Sequence, residues 1–348
     1  MKILQTYYWK TSVKDPDESS IEIAADLLKK GEIIGFPTET VYGLGANGLD
    51  EKAIEKIYRA KGRPSDNPLI LHIDSEEMLK TLVTTISAET KKIIREFWPG
   101  PLTLVLPKSK IVPSIITAGL DTVAVRMPAH KVALKLIKKT GLPIAAPSAN
   151  LSGKPSPTTA EHVWHDLAGK IAGIIDAGPT GIGVESTVLD LSGEIPTILR
   201  PGGVTREQLR SLIGRVEYDP ALKNKDELPR SPGMKYTHYS PDAEVILVSD
   251  IAKLHDCAQE DISKGLKVGL MISEEGHKEI KDNISKEVKI EKLGSRKRLE
   301  EATAQVYGAL RKLDGEKVNI IYVEMFPEEG IGVALMNRLI KAAGEKQV

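Results

Sequence analysis

The sequence predicts an α/β protein of two domains, a mixed twisted sheet with helices followed by a smaller parallel sheet. At 348 residues the chain is long enough for two hydrophobic cores. Short apolar segments alternate with amphipathic ones along most of its length. Between Arg215 and Asp242 this alternation stops in a stretch rich in proline and charge, which is typical of a linker. We therefore predict domains at 1–215 and 243–348, joined by a linker at 216–242.

In the first domain, helical and strand-like segments follow each other closely. "SSIEIAADLLKKG" predicts a helix capped by Ser19 or Ser20 and stopped by Gly31, before the strand "EIIGFPT". "DEKAIEKIYRAKG" predicts a helix capped by Asp50, before the strand "PLILHI". Later, "IAGIIDAG", "STVLDLS" and "PTILRPGG" crowd three strands together with few helices. This crowding favours a mixed sheet over a purely parallel one.

The second domain shows a more regular repeat. The strand-like segments "AEVILVS", "LKVGLMIS", "KEVKIEKL" and "VNIIYVEM" alternate with helices, the longest being "SRKRLEEATAQVYGALRKLDG". Strands alternating with helices predict βαβ units and hence a small doubly wound parallel sheet.

Composition excludes several classes of function. Lys plus Arg number 48 and Asp plus Glu number 48, so the chain has no overall basic field for nucleic acid or an anionic membrane. No uninterrupted apolar run is long enough to cross a bilayer, and the first residues lack the apolar core of a signal peptide. Cys257 is the single cysteine. We expect a cytoplasmic protein without a membrane partner, in which any anion site is local.

Familiar catalytic patterns do not account for this sequence. The sequence has neither a GxxxxGK[ST] phosphate loop nor a GxSxG nucleophile elbow. "GIGVAL" at Gly330 lacks the third glycine of a dinucleotide fingerprint, which favours a tight turn. His162 and His165 lie three apart on one predicted helix, where surface or packing positions are favoured over zinc ligation.

Polar loops, however, stand just outside the apolar segments. They are "PTETVYG", "KGRPSDNP", "RMPAH", "APSANLSG", "VESTV" and "RPGG". Ligand-binding loops gather at strand ends in α/β sheets. Guanidinium forks bind phosphate and carboxylate groups, and Ser, Asn and backbone N–H groups fill the remaining acceptors. The set therefore favours a site for a phosphate and a carboxylate.

Each of these loops alone also has a plainer interpretation. The two cations of "KGRP" fit the end of a helix, where the macrodipole favours them. The strand-end arginines, Arg126 and Arg200, could be solvated, and Ser148 and Asn150 could be simple turn residues.

Taken together, the motifs resemble the YrdC/Sua5 family. "KGRP" and "SAN", with Lys61, Arg63, Ser148 and Asn150, form the KxR…SxN pair of that family. "FPTETVYGLG", "NPLILHI", "WPGPLTLVL", "VAVRMPAH", "GLPIAAPSAN", "ESTVLDL" and "ILRPGG" are similar to its other signatures, over about residues 15–215. The linker and second domain resemble the two-domain form. The resemblance implies a YrdC-like first domain and a Rossmann-like second one.

The resemblance also implies a reaction, in which L-threonine, bicarbonate and ATP give threonylcarbamoyl-AMP and pyrophosphate. This would be the first step of t6A modification at position 37 of tRNA, and a separate tRNA threonylcarbamoyl transferase complex would use the product. The carbamate of threonine attacks the α-phosphate, so no catalytic Ser or Cys is needed and catalysis consists of positioning and charge neutralisation. Mg²⁺ is expected with ATP, with ligands that the sequence does not identify.

Site residues are carried over motif by motif from the resemblance. The catalytic pair of motifs is Lys61, Arg63, Ser148 and Asn150, with the two cations expected at the surface of a cleft, holding the triphosphate. The resemblance assigns threonine to Thr40, His72, Arg126 and Ser186, with Arg126 as partner of its carboxylate. It assigns ATP to Lys61, Arg63, Asn67, Thr122, Ser148, Asn150, Arg200 and Ser240.

Two further questions stay open at this level. Residues 236–240 carry Tyr236, His238 and Tyr239 between two Ser-Pro steps, so the linker is either a plain tether or a lid that excludes water from a hydrolysable product. The alternative functions are an RNA-binding module of the YrdC type and carbamoyl transfer to another acceptor. Zero net charge and the lack of aromatic stacking motifs count against the first, and direct tRNA binding is left open.

Overall fold

The computed structural model describes residues 5–222, 239–344 and 346–348. By its internal contacts the chain divides into two compact units. The first comprises 1–152, 156–181 and 185–235, and the second comprises 153–155, 182–184 and 236–348. Of residues 236–240, which the sequence allows as a lid, Tyr236 to His238 lie outside the described residues. No described helix has the length and apolar character needed to cross a membrane.

The first unit is built on one large mixed sheet. Its strands are β1 Tyr7–Lys10, β2 Ile34–Phe36, β3 Gly43–Asn47, β4 Ile70–His72, β5 Leu102–Pro107, β6 Thr122–Arg126, β7 Ile144–Ala145, β8 Gly173–Asp176, β9 Thr187–Asp190, β10 Thr197–Arg200 and β11 Glu217–Tyr218. They lie in the order β1-β8-β2-β3-β7-β4-β6-β5-β9-β10-β11. Pairs such as β4 with β6 are parallel, and pairs such as β5 with β6 are antiparallel. The prediction of a mixed sheet is confirmed.

Eight α-helices accompany this sheet within the described residues. They are α1 Glu18–Lys29, α2 Glu51–Lys61, α3 Glu76–Leu82, α4 Ala88–Phe97, α5 Ser114–Thr117, α6 Lys131–Thr140, α7 Ala160–Leu167 and α8 Arg206–Ile213, and a 3₁₀ turn follows at Pro220–Leu222. Helices α1 and α6 pack with Ile34 and Phe36 of β2 in one apolar cluster.

The ends of two helices show how the sequence sets them. The predicted cap of α2 is confirmed, because the Asp50 carboxylate accepts from the N–H groups of Lys52 and Ala53. Gly62, at φ 62°, ends α2 in the left-handed conformation that glycine adopts without strain. The predicted serine cap of α1 is wrong. Asp17 caps this helix instead, because its carboxylate accepts from the N–H of Ser20.

The second unit contains a small sheet whose strands are all parallel. Strands β12 Glu244–Val248, β13 Val268–Ile272, β14 Lys289–Lys292 and β15 Ile320–Glu324 lie in the order β12-β15-β13-β14. The accompanying helices are α9 Ile251–Ser263, α10 Glu274–Ile280, α11 Leu299–Gly315 and α12 Gly332–Ala342. Apolar strand residues pack with Leu254 and Ala258 of α9 in its core. The predicted doubly wound parallel sheet is confirmed.

Candidate active site

A row of side chains crosses the centre of the large sheet. His72 on β4 pairs with Arg126 on β6, and Arg126 pairs with Thr103 on β5. Thr103 pairs in turn with Val188 on β9, and Val188 pairs with Arg200 on β10. Since directly paired residues project to the same face of a sheet, five neighbouring strands present this row on one side.

An apolar strip lies beside the row. Ile70, Val105 and Ala124 stand two residues along their strands from members of the row, so they share its face. They form a buried cluster with Val188 and Leu199, in which every member comes from a strand or its end. The polar members of the row therefore border a dry surface, where electrostatic contacts are stronger than in water.

Arg126 is buried and held on three sides. Its Nε donates to the carbonyl oxygen of Gly100 at 3.2 Å, and its Nη1 donates to Oγ1 of Thr40 at 2.9 Å. Its Nη2 lies 2.6 Å from Oε1 of Glu39 in an ion pair. Because only 3% of the residue is exposed, the solvated position that its sequence allowed is wrong. The contacts orient the guanidinium and leave N–H groups on its terminal nitrogens for a ligand.

Ser186 connects the middle of the row to its far end. Its hydroxyl lies 2.8 Å from that of Thr103, and its carbonyl oxygen accepts from Nε and Nη2 of Arg200 at 3.2 and 3.0 Å. The register of β10 shifts between Ile198 and Arg200, a bulge that turns Arg200 toward the face of Val188. A side chain on Gly202 would meet the amide nitrogen of Thr187 at 2.3 Å, so glycine is needed for the close approach of this loop. Arg200 is also buried rather than solvated.

Lys61 joins the two signature motifs directly. Its Nζ donates to the carbonyl oxygens of Ser148 and Asn150 at 2.5 and 2.6 Å, and lies 3.5 Å from Oδ1 of Asn150. Only 3% of Lys61 is exposed, so its predicted position at the surface of a cleft is wrong. The physical reason is that the ammonium group satisfies backbone carbonyls of the "SAN" loop. That loop also contacts the "PTETVYG" loop, where the N–H of Ala149 donates to the carbonyl oxygen of Tyr42.

Arg63 is more accessible than Lys61. Its Nη2 donates to the carbonyl oxygens of Asn67 and Pro68, each at 3.3 Å. It helps to line a cavity of about 490 Å³, which also contacts Tyr58 and Gly62. The Asn67 side chain is fully buried, and its amide nitrogen and oxygen both lack a described partner. A buried amide without partners is costly, so a ligand that supplies them would be favoured.

The sequence also singled out Thr122, Ser240 and Tyr239. Thr122 begins β6 on the face of Arg126, about 13 Å along the strand at 3.3 Å per residue. Ser240 belongs to the second unit, where its hydroxyl donates to the carbonyl oxygen of Ala342. Tyr239, also in the second unit, is buried with its ring centroid 5.3 Å from that of Tyr307.

His72 lies in a dry environment beside Arg126. Its ring meets the edge of Phe36 at a centroid distance of 6.2 Å, and its buried Nδ1 has no described partner. Burial, and after it the nearby positive charge of Arg126, together lower the pKa of His72 to about 3. The imidazole is therefore neutral at physiological pH and can accept or donate one hydrogen bond at each nitrogen.

Two residues of this site were missed in the sequence. Thr103, in "LTLVLP", is a polar residue between the buried Leu102 and Leu104, and that interruption of an apolar strand was the available signal. Glu39 precedes Thr40 in "PTETVYG", and nothing in the neighbouring sequence indicates that its carboxylate has a cationic partner. Among the described residues, no group of three or more His, Cys, Asp or Glu side chains could hold a metal ion.

Comparison with known proteins places both units. Residues 26–202 match the Sua5–YciO–YrdC family model, described as telomere recombination. Residues 204–344 match the model for the threonylcarbamoyl-AMP synthase C-terminal domain. Threonylcarbamoyl-AMP synthase of Bacillus subtilis (strain 168) is 49% identical over 350 residues, which cover 99% of this chain and 100% of the relative. That of Pyrococcus abyssi is 50% identical over 334 residues, covering 94% of this chain and 95% of the relative.

Solved structures agree with the sequence comparison. The crystal structure of P. abyssi Sua5 complexed with L-threonine gives a TM-score of 0.92 at 47% identity and covers 99% of both chains. Escherichia coli YciO gives 0.52 at 26% identity, covering 57% of this chain and 96% of its own.

The fold, together with the family-model match over residues 26–202, defines a protein of the Sua5–YciO–YrdC class. With its second unit included, the chain belongs to the threonylcarbamoyl-AMP synthase family, in the two-domain Sua5 form. The family resemblance inferred from the sequence motifs is confirmed.

The Lys61 contacts predict a structural cost of its removal. Lys61→Ala removes the ammonium donor from the part-buried carbonyl oxygen of Ser148 and the buried carbonyl oxygen of Asn150, and it should lower the free energy of unfolding by roughly 2–4 kcal/mol. Lys52→Ala, at an exposed site on the same helix, should change it by less than about 0.5 kcal/mol. Trp9, Trp98 and Trp164 all lie in the first unit, so tryptophan fluorescence in urea reports its unfolding. Equal free energies of unfolding for the two variants would contradict a stabilising role of the Lys61 hydrogen bonds.

The low pKa of His72 predicts a pH-dependent stability. Below pH 6.5 the unfolded chain binds a proton at His72, whereas the folded chain does not until about pH 3. Above pH 6.5, His72 is neutral in both states and does not lower the free energy of unfolding. As the pH falls from 6.5 toward 3, protonation of the unfolded chain lowers that free energy by up to about 1.4 kcal/mol per pH unit. Urea unfolding at pH 7 and 5 should show a smaller acid destabilisation in His72→Gln than in the wild type. An identical pH dependence of both proteins would contradict a buried neutral imidazole.

Proposed function

We propose that the chain synthesises threonylcarbamoyl-AMP from L-threonine, bicarbonate and ATP, with release of pyrophosphate. The observation that carries this proposal is the buried row with Arg126 and Arg200 on one sheet face, in a chain related over its whole length to threonylcarbamoyl-AMP synthases. Two buried guanidinium groups fit two anionic groups of the reactants, the carboxylate of threonine and a phosphate of ATP.

Threonine is assigned to the Arg126 end of the row. Arg126 would bind its carboxylate, because the guanidinium is oriented by Gly100, Thr40 and Glu39 and retains N–H groups for a bidentate contact. The proposal is supported by the P. abyssi Sua5 structure, which was solved with L-threonine. His72 is paired with Arg126, and Ser186 contacts Thr103 on the other side of Arg126. Both His72 and Ser186 would supply neutral hydrogen-bonding groups to the rest of the amino acid.

ATP is assigned to the loops around Lys61 and to Arg200. Arg63 and the unpartnered amide of Asn67 would contact phosphate or base, and Lys61 with the "SAN" loop would fix the loop geometry around the nucleotide. Thr122 and Ser240 remain proposed ATP contacts. Mg²⁺ would accompany ATP, held mainly by phosphate oxygens and water as this hard cation prefers.

Catalysis in this scheme is mainly positioning. The substrate supplies the nucleophile. The α-amine of threonine, in its deprotonated form, adds bicarbonate to give a carbamate with loss of water, and the carbamate oxygen then attacks the α-phosphate of ATP so that pyrophosphate leaves. Fixed cations stabilise the charge that moves onto the leaving group. The product would pass to a tRNA threonylcarbamoyl transferase complex in the cytoplasm. The RNA-binding alternative disagrees with the names of the relatives, which are synthases.

The reaction can be tested with radiolabelled bicarbonate. The chain is incubated with ATP, Mg²⁺ and L-threonine, L-serine or L-valine, and nucleotides are separated by chromatography. We expect a labelled nucleotide and pyrophosphate in the threonine sample, and neither without ATP. If no labelled nucleotide exceeds the sample without protein, the proposed synthesis is excluded. Filter binding of tRNA without ATP would then support the RNA-binding alternative.

Arg126→Lys should separate the two substrates. Lysine keeps the charge but cannot form a guanidinium fork, so the KM for threonine should rise by roughly 10- to 100-fold while that for ATP changes less than about threefold. Arg95→Lys, at an exposed position on α4, should leave both values unchanged. A similar rise for ATP and threonine would place Arg126 elsewhere in the site.

A further inference from the structure

Glu39 forms an ion pair with Arg126, and the proposed reaction assigns its carboxylate no role in substrate binding. It lies in the loop between β2 and β3, and its Oε1 accepts from the N–H of Ala129 at 3.0 Å while pairing with Arg126. Its Oε2 is buried and has no described partner. A buried carboxylate oxygen without a donor is costly, so the described contacts of Glu39 are incomplete.

The loop fixes the direction of this carboxylate. Thr38 Oγ1 donates to the carbonyl oxygen of Val41 at 2.6 Å and lies 2.8 Å from the hydroxyl of Thr40. Thr40 in turn accepts from Arg126. Glu39 is thus held between two residues of a closed turn, with 14% of its side chain exposed. The position is built by the fold and does not depend on a flexible surface side chain.

The charges of the site indicate which donor is missing. Arg126 and Glu39 form a neutral pair in a poorly solvated place. A ligand carboxylate on Arg126 would add a second negative charge beside Glu39, which is unfavourable at low dielectric. A ligand that also carries an ammonium group restores the balance and supplies N–H donors for Oε2. An α-amino acid has both groups on one carbon, as close together as the two charges of the pair.

We propose that Glu39 binds the α-ammonium group of the amino-acid substrate and thereby selects an amino acid over the corresponding hydroxy acid. This inference rests on the proposed function, since it takes Arg126 as the partner of the substrate carboxylate. We call the side chains of Glu39 and Arg126 together the zwitterion clamp. His72 at the same end of the row is neutral and adds no charge to the pair. Burial lowers the pKa of His130, and the charge of Glu39 opposes that shift.

The test compares L-threonine with 2,3-dihydroxybutanoate, its analogue with a hydroxyl in place of the amine, by calorimetric titration of the full chain. We expect the wild type to prefer threonine by at least about tenfold. Glu39→Gln keeps an acceptor for Ala129 but removes the charge, so threonine binding should weaken about 10- to 100-fold while the hydroxy acid loses less than about threefold. Glu194→Gln, at an exposed turn, serves as the matched control and should behave as the wild type.

Glu39→Asp provides a second variant, which keeps the charge but withdraws it by one methylene. We expect a preference for threonine between those of the wild type and Glu39→Gln, and thermal unfolding followed by tryptophan fluorescence shows that each variant is folded. If wild-type protein binds threonine and both variants keep the full preference, Glu39 only orients Arg126 and the clamp is refuted. If the wild type does not bind threonine at all, the proposed function itself fails together with the clamp.

Discussion

The register of five neighbouring strands is the constraint on which the site depends. His72, Arg126, Thr103, Val188 and Arg200 are adjacent because β4, β6, β5, β9 and β10 pair in one particular alignment. A slip of one residue in any pair would turn its side chain to the opposite face, which carries the large apolar core. Burial of that core therefore specifies the site, because the same alignment satisfies both faces.

Buried cations are the second theme of the structure. Lys61, Arg126 and Arg200 are nearly inaccessible, yet each is surrounded by backbone carbonyls, hydroxyls or a carboxylate. Desolvating a cation is expensive unless such partners are supplied. Since these partners already hold the cations in the structure without substrate, little reorganisation is needed during reaction.

The helix ends and the sheet of the second unit could be predicted from the sequence, because they depend on local sequence patterns. Asp50 and Gly62 bound α2, and regular alternation predicts the parallel sheet of the second unit. The burial of Lys61 could not be read, since its partners lie almost ninety residues further along the chain. Glu39 was missed for the same reason, because Arg126 comes from a strand that only the folded sheet brings near. The cap of α1 was predicted wrongly because Asp17, Ser19 and Ser20 are all favourable N-cap residues, and the sequence does not show at which of them the helix begins.

The row of paired side chains also acts as a ruler. Neighbouring strands stand about 4.8 Å apart, so the four steps from His72 to Arg200 span roughly 19 Å. This spacing belongs to the backbone, and no exchange of side chains can stretch or compress it. Arg126 and Arg200 are three of these steps apart, roughly 14 Å between their backbones. The number of strands between the two arginines therefore sets the approximate size of a molecule that contacts both, and the side chains set which chemical groups it must carry.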